Sequence, residues 1–400
     1  MDNQNRHIDE LRTEPIRSVS REHHQRLQEL VGQLIGVKNT KHAIVSVRSL
    51  DRSFHWTVSV GISHPDQTPM QAETPFWIAS VTKLFIASSI LKLHEKGILS
   101  IDDLASEHLP DNLAKGVLVH RGTDYSNKIC IRHLLSHASG LPDYIIVHRK
   151  GERSLFDQVL AEGDFAWTTE DAMSIVRDAN SPLFPPQDLN QSKYRVQYSD
   201  TNFQLLIAII KQASGTTLHE AFKELLYKPL YLKHTFHAGT NSLEKAKPVA
   251  TVWYKEKALD EIPQALQSFN DLYSTAEDLT VFMEGLLQGK IFDNPETLDM
   301  MVGKWNRLAF GFSPVGPSWP IEYGLGMMRV NVPRILTPFN PIPELIGHTG
   351  ACGSWLLYCS KLDVILAGSV SQIGAPDLPF RFLPKFLREL ESILHEHRKA

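Results

Sequence analysis

The chain has 400 residues, 42% hydrophobic and 22% charged, enough apolar material to bury one large core or two medium ones. A formal net charge of -4, with both signs interspersed, leaves no footprint for nucleic acid and no single-sign block suited to anionic lipid. Small molecules are the expected partners. Three cysteines (Cys130, Cys352, Cys359), with no CxxC pair, are too few and too scattered for a disulfide framework and point to a reduced compartment. The N-terminus has no apolar leader, and no stretch approaches the ~18 apolar residues of a spanning helix. The expectation is a soluble cytoplasmic protein, or a periplasmic or secreted one if a leader has been removed.

In chain order, residues 1 to about 20 are polar and read as a flexible tail. Leu27, Leu30, Val31 and Leu34 recur at helical spacing and predict an amphipathic helix from Arg21 to about Ile35. Ala43–Val47 and Trp56–Val60 read as strands flanking a turn at Asp51-Arg52-Ser53. Ser80 to Lys96 reads as a helix closed by Gly97. From about 100 to 300, helical segments alternate with Pro- and Asp-rich loops. They include a helix from Thr201 to Ala213, ahead of Gly215, and a capping box at Ser274-Thr275-Ala276-Glu277. Strand character returns at Tyr323–Met327, Trp355–Tyr358 and Val364–Ala367, and Phe380–His397 reads as a closing amphipathic helix. Such an order predicts an α+β protein. Residues 1–100 and 301–400 form one discontinuous mixed α/β sheet domain, and 101–300 a mostly helical insertion.

Ser-x-x-Lys occurs at Ser80, Ser89 and Ser242, so the motif alone carries little weight. Position separates the three. Ser89 falls mid-helix and Ser242 in a polar segment, whereas Ser80 lies where Pro75–Ala79 gives way to a helix. Unpaired amides and the positive dipole end gather at a helix start, and Lys83 shares a face with Ser80. By itself the pattern is better read as an N-cap serine and a solvated first-turn lysine.

Distant strings change that balance. Phe76-Trp77-Ile78-Ala79-Ser80-Val81-Thr82-Lys83, Ile131–Tyr144 with its Leu134-Leu135-Ser136-His137-Ala138-Ser139-Gly140-Leu141-Pro142, Tyr198-Ser199-Asp200-Thr201-Asn202-Phe203 and Gly347-His348-Thr349-Gly350 resemble the serine β-lactamase-like family. That family includes class C β-lactamases, D-Ala-D-Ala carboxypeptidases, D-aminopeptidases and family VIII esterases. The likeness runs from about residue 25 to 372, with weaker matches at Lys228-Pro229-Leu230, Ser274–Leu279 and Tyr323–Gly326.

The resemblance implies a β-lactamase/transpeptidase-like fold, an antiparallel sheet flanked by helices with a helical insertion. It implies Ser80 as nucleophile of an acyl-enzyme, and Lys83 and Tyr198 as the groups that share its proton, the Lys83 ammonium lowering the Tyr198 pKa so that tyrosinate serves as base. The oxyanion hole would be the amides of Ser80 and Ala351, with Asp200, His348, Thr349 and Gly350 contacting substrate. His348 stands where many relatives have lysine, which makes carboxylate recognition weaker or pH-dependent. Asp200 stands where penicillin-recognising members have asparagine. It can pair with Lys83, or cap the helix from Thr201, but cannot donate to a substrate carbonyl when ionised.

No metal or organic cofactor is expected. His133 and His137 sit i, i+4 without HExxH or a cysteine pair, and there is neither a G-x-S-x-G elbow nor a Gly-rich phosphate loop. Cys352 is read as a small strand residue near enough to the site for thiol reagents to act on it. Trp77, Tyr144, Phe203 and Trp355 are candidates for an apolar pocket wall or, equally, for core. The reading is a serine hydrolase, esterase or peptidase-like, acting on a small ester or amide. A class C-type β-lactamase or D-Ala-D-Ala carboxypeptidase is the alternative, and a catalytically silent binding protein on the same fold the alternative of another class.

Overall fold

A computed structural model describes residues 20–238, 248–259, 262–309, 320–332 and 342–399. The tail read at the N-terminus, up to residue 19, and the motif at Ser242 lie outside them. A continuous buried run forms β1 (His42–Ser49) and an alternating one β2 (His55–Gly61), joined through Asp51-Arg52-Ser53. Asp51 Oδ1 accepts from the Ser53 amide at 2.9 Å and from the Ser49 hydroxyl at 2.6 Å, closing the turn with its own side chain. Six later strands complete the sheet: β3 (Asn306–Arg307), β4 (Ile321–Tyr323), β5 (Met328–Val330), β6 (Leu345–Thr349), β7 (Ser354–Cys359) and β8 (Val364–Ser369). The spatial order is β3-β4-β5-β6-β7-β8-β1-β2, antiparallel throughout. The two ends of the chain meet where β1 pairs with β8, from Ile44 opposite Ser369 to Ser49 opposite Val364.

Five helices frame the sheet and the site: α1 (Arg21–Gly32), α2 (Thr82–Glu95), α3 (Asp200–Ser214), α4 (Ala276–Leu287) and α5 (Leu378–Lys399). Alternation along the central strands divides the interior, because successive side chains point to opposite faces. Ala43, Val45, Val47, Val364 and Leu366 pack in one core with residues of α1 and α5. Ile44, Ile365 and Ala367 belong to the core on the other face, which takes in α2, α3 and α4. Gly97 and Gly215 follow α2 and α3 in left-handed conformations, at φ +67° and +66°, as their positions in the sequence predict.

Two local expectations are corrected. Of Tyr323-Gly324-Leu325-Gly326-Met327 only Tyr323 is in a strand, as the end of β4, and Gly324 to Met327 form the turn between β4 and β5. Gly326 adopts φ +74° there, and a Cβ on it would lie 2.1 Å from Ala87 Cβ, so this turn is pressed against α2. The cap of α4 is Thr275, whose hydroxyl accepts from the Asp278 amide at 3.1 Å, not Ser274. Ser274 ends the strand Leu272–Ser274, opposite Phe76, and Glu277 pairs with Arg48 and His55 instead of closing a box. Among the described residues no helix is long and apolar enough to cross a membrane.

Candidate active site

The strand Phe76–Trp77, paired with Leu272–Ser274, delivers the chain to a single 3-10 turn, Ala79–Val81, that runs directly into α2. Ala79 takes φ +47°, a costly conformation for a residue with a Cβ, and its surroundings hold it there. Ile78 N donates to Leu272 O at 2.9 Å, Ser354 Oγ donates to Ile78 O at 2.7 Å, and the Cys352 thiol donates to Trp77 O at 3.2 Å. Ser80 is thereby presented at the mouth of the sheet with α2 behind it. Of the three look-alike motifs, the one at Ser89 is committed elsewhere: Lys92 pairs with Glu95 and Asp293.

Ser80 Oγ accepts from Lys83 Nζ at 3.1 Å and lies 2.9 Å from Tyr198 Oη, which donates to it. Lys83 also donates to Asp200 in a short contact, and its ammonium lies over the rings of Tyr198 and Phe203 at 5.2 and 5.4 Å. Burial pulls the lysine pKa down, but Asp200 and Asp271 outweigh it, so Lys83 is held as ammonium above its ordinary range. Asp200 opens α3 as its first residue, and the capping position belongs to Ser199. The alternative of Asp200 as helix cap is thus corrected: its carboxylate is turned to the lysine.

Tyr198 departs from expectation in its protonation. Burial, then the charge of Asp200, pushes its phenol well above the usual value near 10, and the contact with Ser80 offsets this only in part. A resting tyrosinate is therefore disfavoured, because the carboxylate that neutralises Lys83 also repels a second anion. The ring is held by the segment after Ile131. Gln197 N donates to His137 O at 3.0 Å, and the His137 imidazole lies tilted against the Tyr198 ring with centroids 4.5 Å apart. His137 Nδ1 in turn accepts from Asn202 Nδ2 at 3.0 Å. His133 Nε2 meets Gln187 O at 2.7 Å, so the i, i+4 histidine pair serves the loop's architecture.

Thr349 ends β6, and Gly350 and Ala351 follow it beside Ser80. A Cβ on Gly350 would lie 2.7 Å from Ile78 O and 2.3 Å from Ser354 Oγ, so the missing side chain lets this turn close on the turn that carries Ser80. His348 does not reach the substrate side. Its Nδ1 donates to Thr349 O at 2.7 Å, its Nε2 accepts from Tyr323 Oη at 3.0 Å, and burial, then Lys83, lowers its pKa to about 3. The expected pH-dependent contact from His348 is corrected to a neutral, buried strut. Cys352 is likewise buried, with its thiol pushed up to about 12 by burial, which removes the expected sensitivity to thiol reagents.

Two cavities meet at Ser80 and Ala351. One, of about 70 Å³, is walled by Trp77, Tyr144, Phe156, Phe203, Leu266 and Phe269. The other, of about 310 Å³, runs between Tyr198, Val330, Leu345 and Thr349 and the α5 residues Phe380 and Leu383. Trp355, the fourth candidate aromatic, is core, packed on Phe382 behind the sheet. Sequence reasoning missed two acids. Asp271 lines the smaller cavity and is raised by burial to about 7, and Asp143 is raised by burial and Asp200 to about 8. Asp143 lay inside a quoted string, but Asp271 carried no signal of its own.

An antiparallel sheet fed by both chain ends, with a serine, a lysine and a tyrosine converging beside β6, defines the β-lactamase/transpeptidase-like class of fold. The chain belongs to the Beta-lactamase family, whose family model matches residues 49–378. It is 27% identical over 246 residues to PbpX of Bacillus subtilis (strain 168), which bears a penicillin-binding-protein name, covering 60% of this chain and 53% of that one. It is 28% identical over 169 residues to monacolin J acid methylbutanoyltransferase of Aspergillus terreus, covering 40% and 38%. The chain thus spans about half the length, or less, of these curated relatives. In fold it is similar to the D-amino acid amidase of Ochrobactrum anthropi SV3, with TM-score 0.69 and 18% identity, covering 94% of this chain and 99% of the other. EstCE1, titled a hydrolase with promiscuous acyltransferase activity, gives TM-score 0.67 at 18% identity and the same coverage.

Proposed function

We propose that the protein is a serine hydrolase that cleaves a small ester or amide through an acyl-enzyme on Ser80. The observation that carries this reading is the position of Ser80 Oγ between Lys83 Nζ and Tyr198 Oη, at the junction of two apolar cavities. Ser80 Oγ attacks the substrate carbonyl carbon. Its proton passes to Tyr198 Oη as the phenol's own proton moves to the leaving oxygen or nitrogen, a relay that never requires a free tyrosinate. The oxyanion is met by the amides of Ser80 and Ala351, and Lys83 remains ammonium, polarising Ser80 Oγ. When the carbonyl re-forms, the alcohol or amine departs. Water then attacks the acyl carbon, its proton travelling through Tyr198 back to Ser80 Oγ, and the acid is released.

Two features favour an ester or open-chain amide over a β-lactam or acyl-D-Ala-D-Ala. Asp200 is engaged by Lys83 and has no N–H to give a substrate carbonyl, and His348 is neutral and turned inward, leaving no cation there for a substrate carboxylate. The test pairs p-nitrophenyl acyl esters of rising chain length with a chromogenic cephalosporin, alongside intact-mass measurement after a fluorophosphonate. Ester turnover and one adduct, both lost in Ser80→Ala, are expected. Rapid cephalosporin turnover without ester cleavage would transfer the protein to the β-lactamase reading. No adduct on the wild type, or an undiminished adduct on Ser80→Ala, would remove Ser80 as nucleophile and favour a silent binding protein.

A further inference from the structure

Ser354 serves both of the turns that meet at Ser80. It opens β7 and, like Ile78, is fully buried. Its backbone carbonyl accepts from Gly350 N at 2.8 Å, and Gly353 N donates to Gly350 O at 3.0 Å, which closes the turn after β6 that carries Ala351. Its hydroxyl reaches the other way and donates to Ile78 O at 2.7 Å. One residue therefore ties the turn bearing Ala351 to the turn bearing Ser80. It does so close against Gly350, where a Cβ would lie 2.3 Å from this same Oγ.

The choice of anchored atom has a physical consequence. Ile78 O and the Ala79 N–H belong to one rigid peptide plane, so holding the carbonyl fixes the backbone on the N-terminal side of Ala79. Ala79 has φ +47°, which is costly for a residue with a Cβ and persists only where the surroundings impose it. Val81 N also donates to Ile78 O, at 3.1 Å, but that bond lies within the turn and moves with it. The Ser354 hydroxyl holds the same carbonyl from the sheet. The Cys352 thiol, 3.2 Å from Trp77 O, is a weaker donor on the neighbouring carbonyl.

We infer that Ser354 is the positioning residue of the oxyanion hole. Its hydroxyl holds the Ile78–Ala79 peptide, and through the strained Ala79 the Ser80 amide, at the spacing from the Ala351 amide that a tetrahedral oxyanion requires. This rests on the acyl-enzyme reading above. Ser354 acts through the two turns and not on the substrate, so its contribution is felt as the oxyanion forms and not when the substrate binds.

The experiment compares the wild type with two variants. Ser354→Ala removes the hydroxyl but leaves Ile78 O its bond from Val81 N, and Ser354→Cys keeps a weaker donor in place. On p-nitrophenyl butyrate, Ser354→Ala is expected to lose about 10- to 100-fold in kcat, somewhat less than a deleted oxyanion donor costs, with KM little changed. Acylation and deacylation both pass through an oxyanion, so kcat falls whichever step limits. Ser354→Cys is expected to fall between the wild type and Ser354→Ala. Two ligands separate positioning from general loosening. Propylboronic acid bonds its boron to Ser80 Oγ as the serine proton leaves, and so presents a tetrahedral anion where the butyryl carbonyl would be; p-nitrophenyl butyl ether has no carbonyl. In Ser354→Ala the boronate is expected to weaken in step with kcat while inhibition by the ether stays the same. Wild-type kcat and boronate affinity in Ser354→Ala, with an unchanged urea midpoint, would overturn the inference. Equal weakening of boronate and ether would also overturn it, as the sign of a merely structural part. If Ser354→Ala does not fold, Ser354→Cys is read by the same criteria. Failure of the wild-type fluorophosphonate adduct would instead strike the acyl-enzyme reading itself.

Discussion

Tyr198 is where a single residue's environment decides the chemistry. Its hydroxyl is within hydrogen-bond reach of Ser80, but burial and Asp200 keep it protonated, so it can act by passing one proton on as it accepts another. Phenylalanine at 198 keeps the ring on His137 and removes the relay. For Tyr198→Phe we expect turnover of p-nitrophenyl butyrate to fall by about 10² to 10⁴, the usual worth of a positioned acid–base group, with an unchanged urea midpoint. Near-normal turnover in the variant would exclude Tyr198 from proton transfer.

At the scale of elements, the site is a contact between two turns. In the proposed mechanism the 3-10 turn Ala79–Val81 carries one amide of the oxyanion hole and the turn after β6 carries the other, and Gly350 lets the two turns approach. Alanine at 350 would place a Cβ within 2.7 Å of Ile78 O and within 2.3 Å of Ser354 Oγ, forcing the turns apart. The expected loss in kcat is about 10² to 10³, that of one misplaced oxyanion donor, with KM much less affected. An unchanged kcat for Gly350→Ala, with the variant folded, would show that the Ala351 amide is not part of the hole.

Over the whole molecule, burying ionisable groups links stability to pH in two opposing senses. His42 is enclosed where β1 begins, its Nδ1 on Ile62 O at 2.9 Å, and burial lowers its pKa from 6.5 to about 4. Between those values the unfolded chain binds a proton that the folded chain refuses, so this histidine makes stability fall as pH falls from 6.5 to about 4. Asp143 and Asp271, raised to about 8 and about 7, act oppositely: the folded state holds their protons, a contribution lost as pH rises through those values. In His42→Asn, whose amide can still donate to Ile62 O, the loss of unfolding free energy between pH 6.5 and 4.5 should be shallower by up to about 1.4 kcal/mol per pH unit. Parallel curves for wild type and variant would mean that His42 is protonated in the fold.

Much of this was legible in one dimension. Short runs rich in β-branched and aromatic residues marked β1, β2, β7 and β8, helical spacing with a following glycine marked α2 and α3, and the ordered strings around Ser80, Tyr198 and Gly350 marked the family and the side chains that gather at Ser80. These signals are local or carried by residue identity, and they survive without coordinates. What tertiary structure decided was the environment of each group. Asp200 became the partner of Lys83, His348 turned inward to Tyr323, and Asp271 arrived at the cavity from 188 positions beyond Lys83, a separation no local pattern reports. Protonation followed the same rule. Burial and the sign of the nearest charges set it, and both are properties of packing, so the side chains could be named from the sequence but their charges could not.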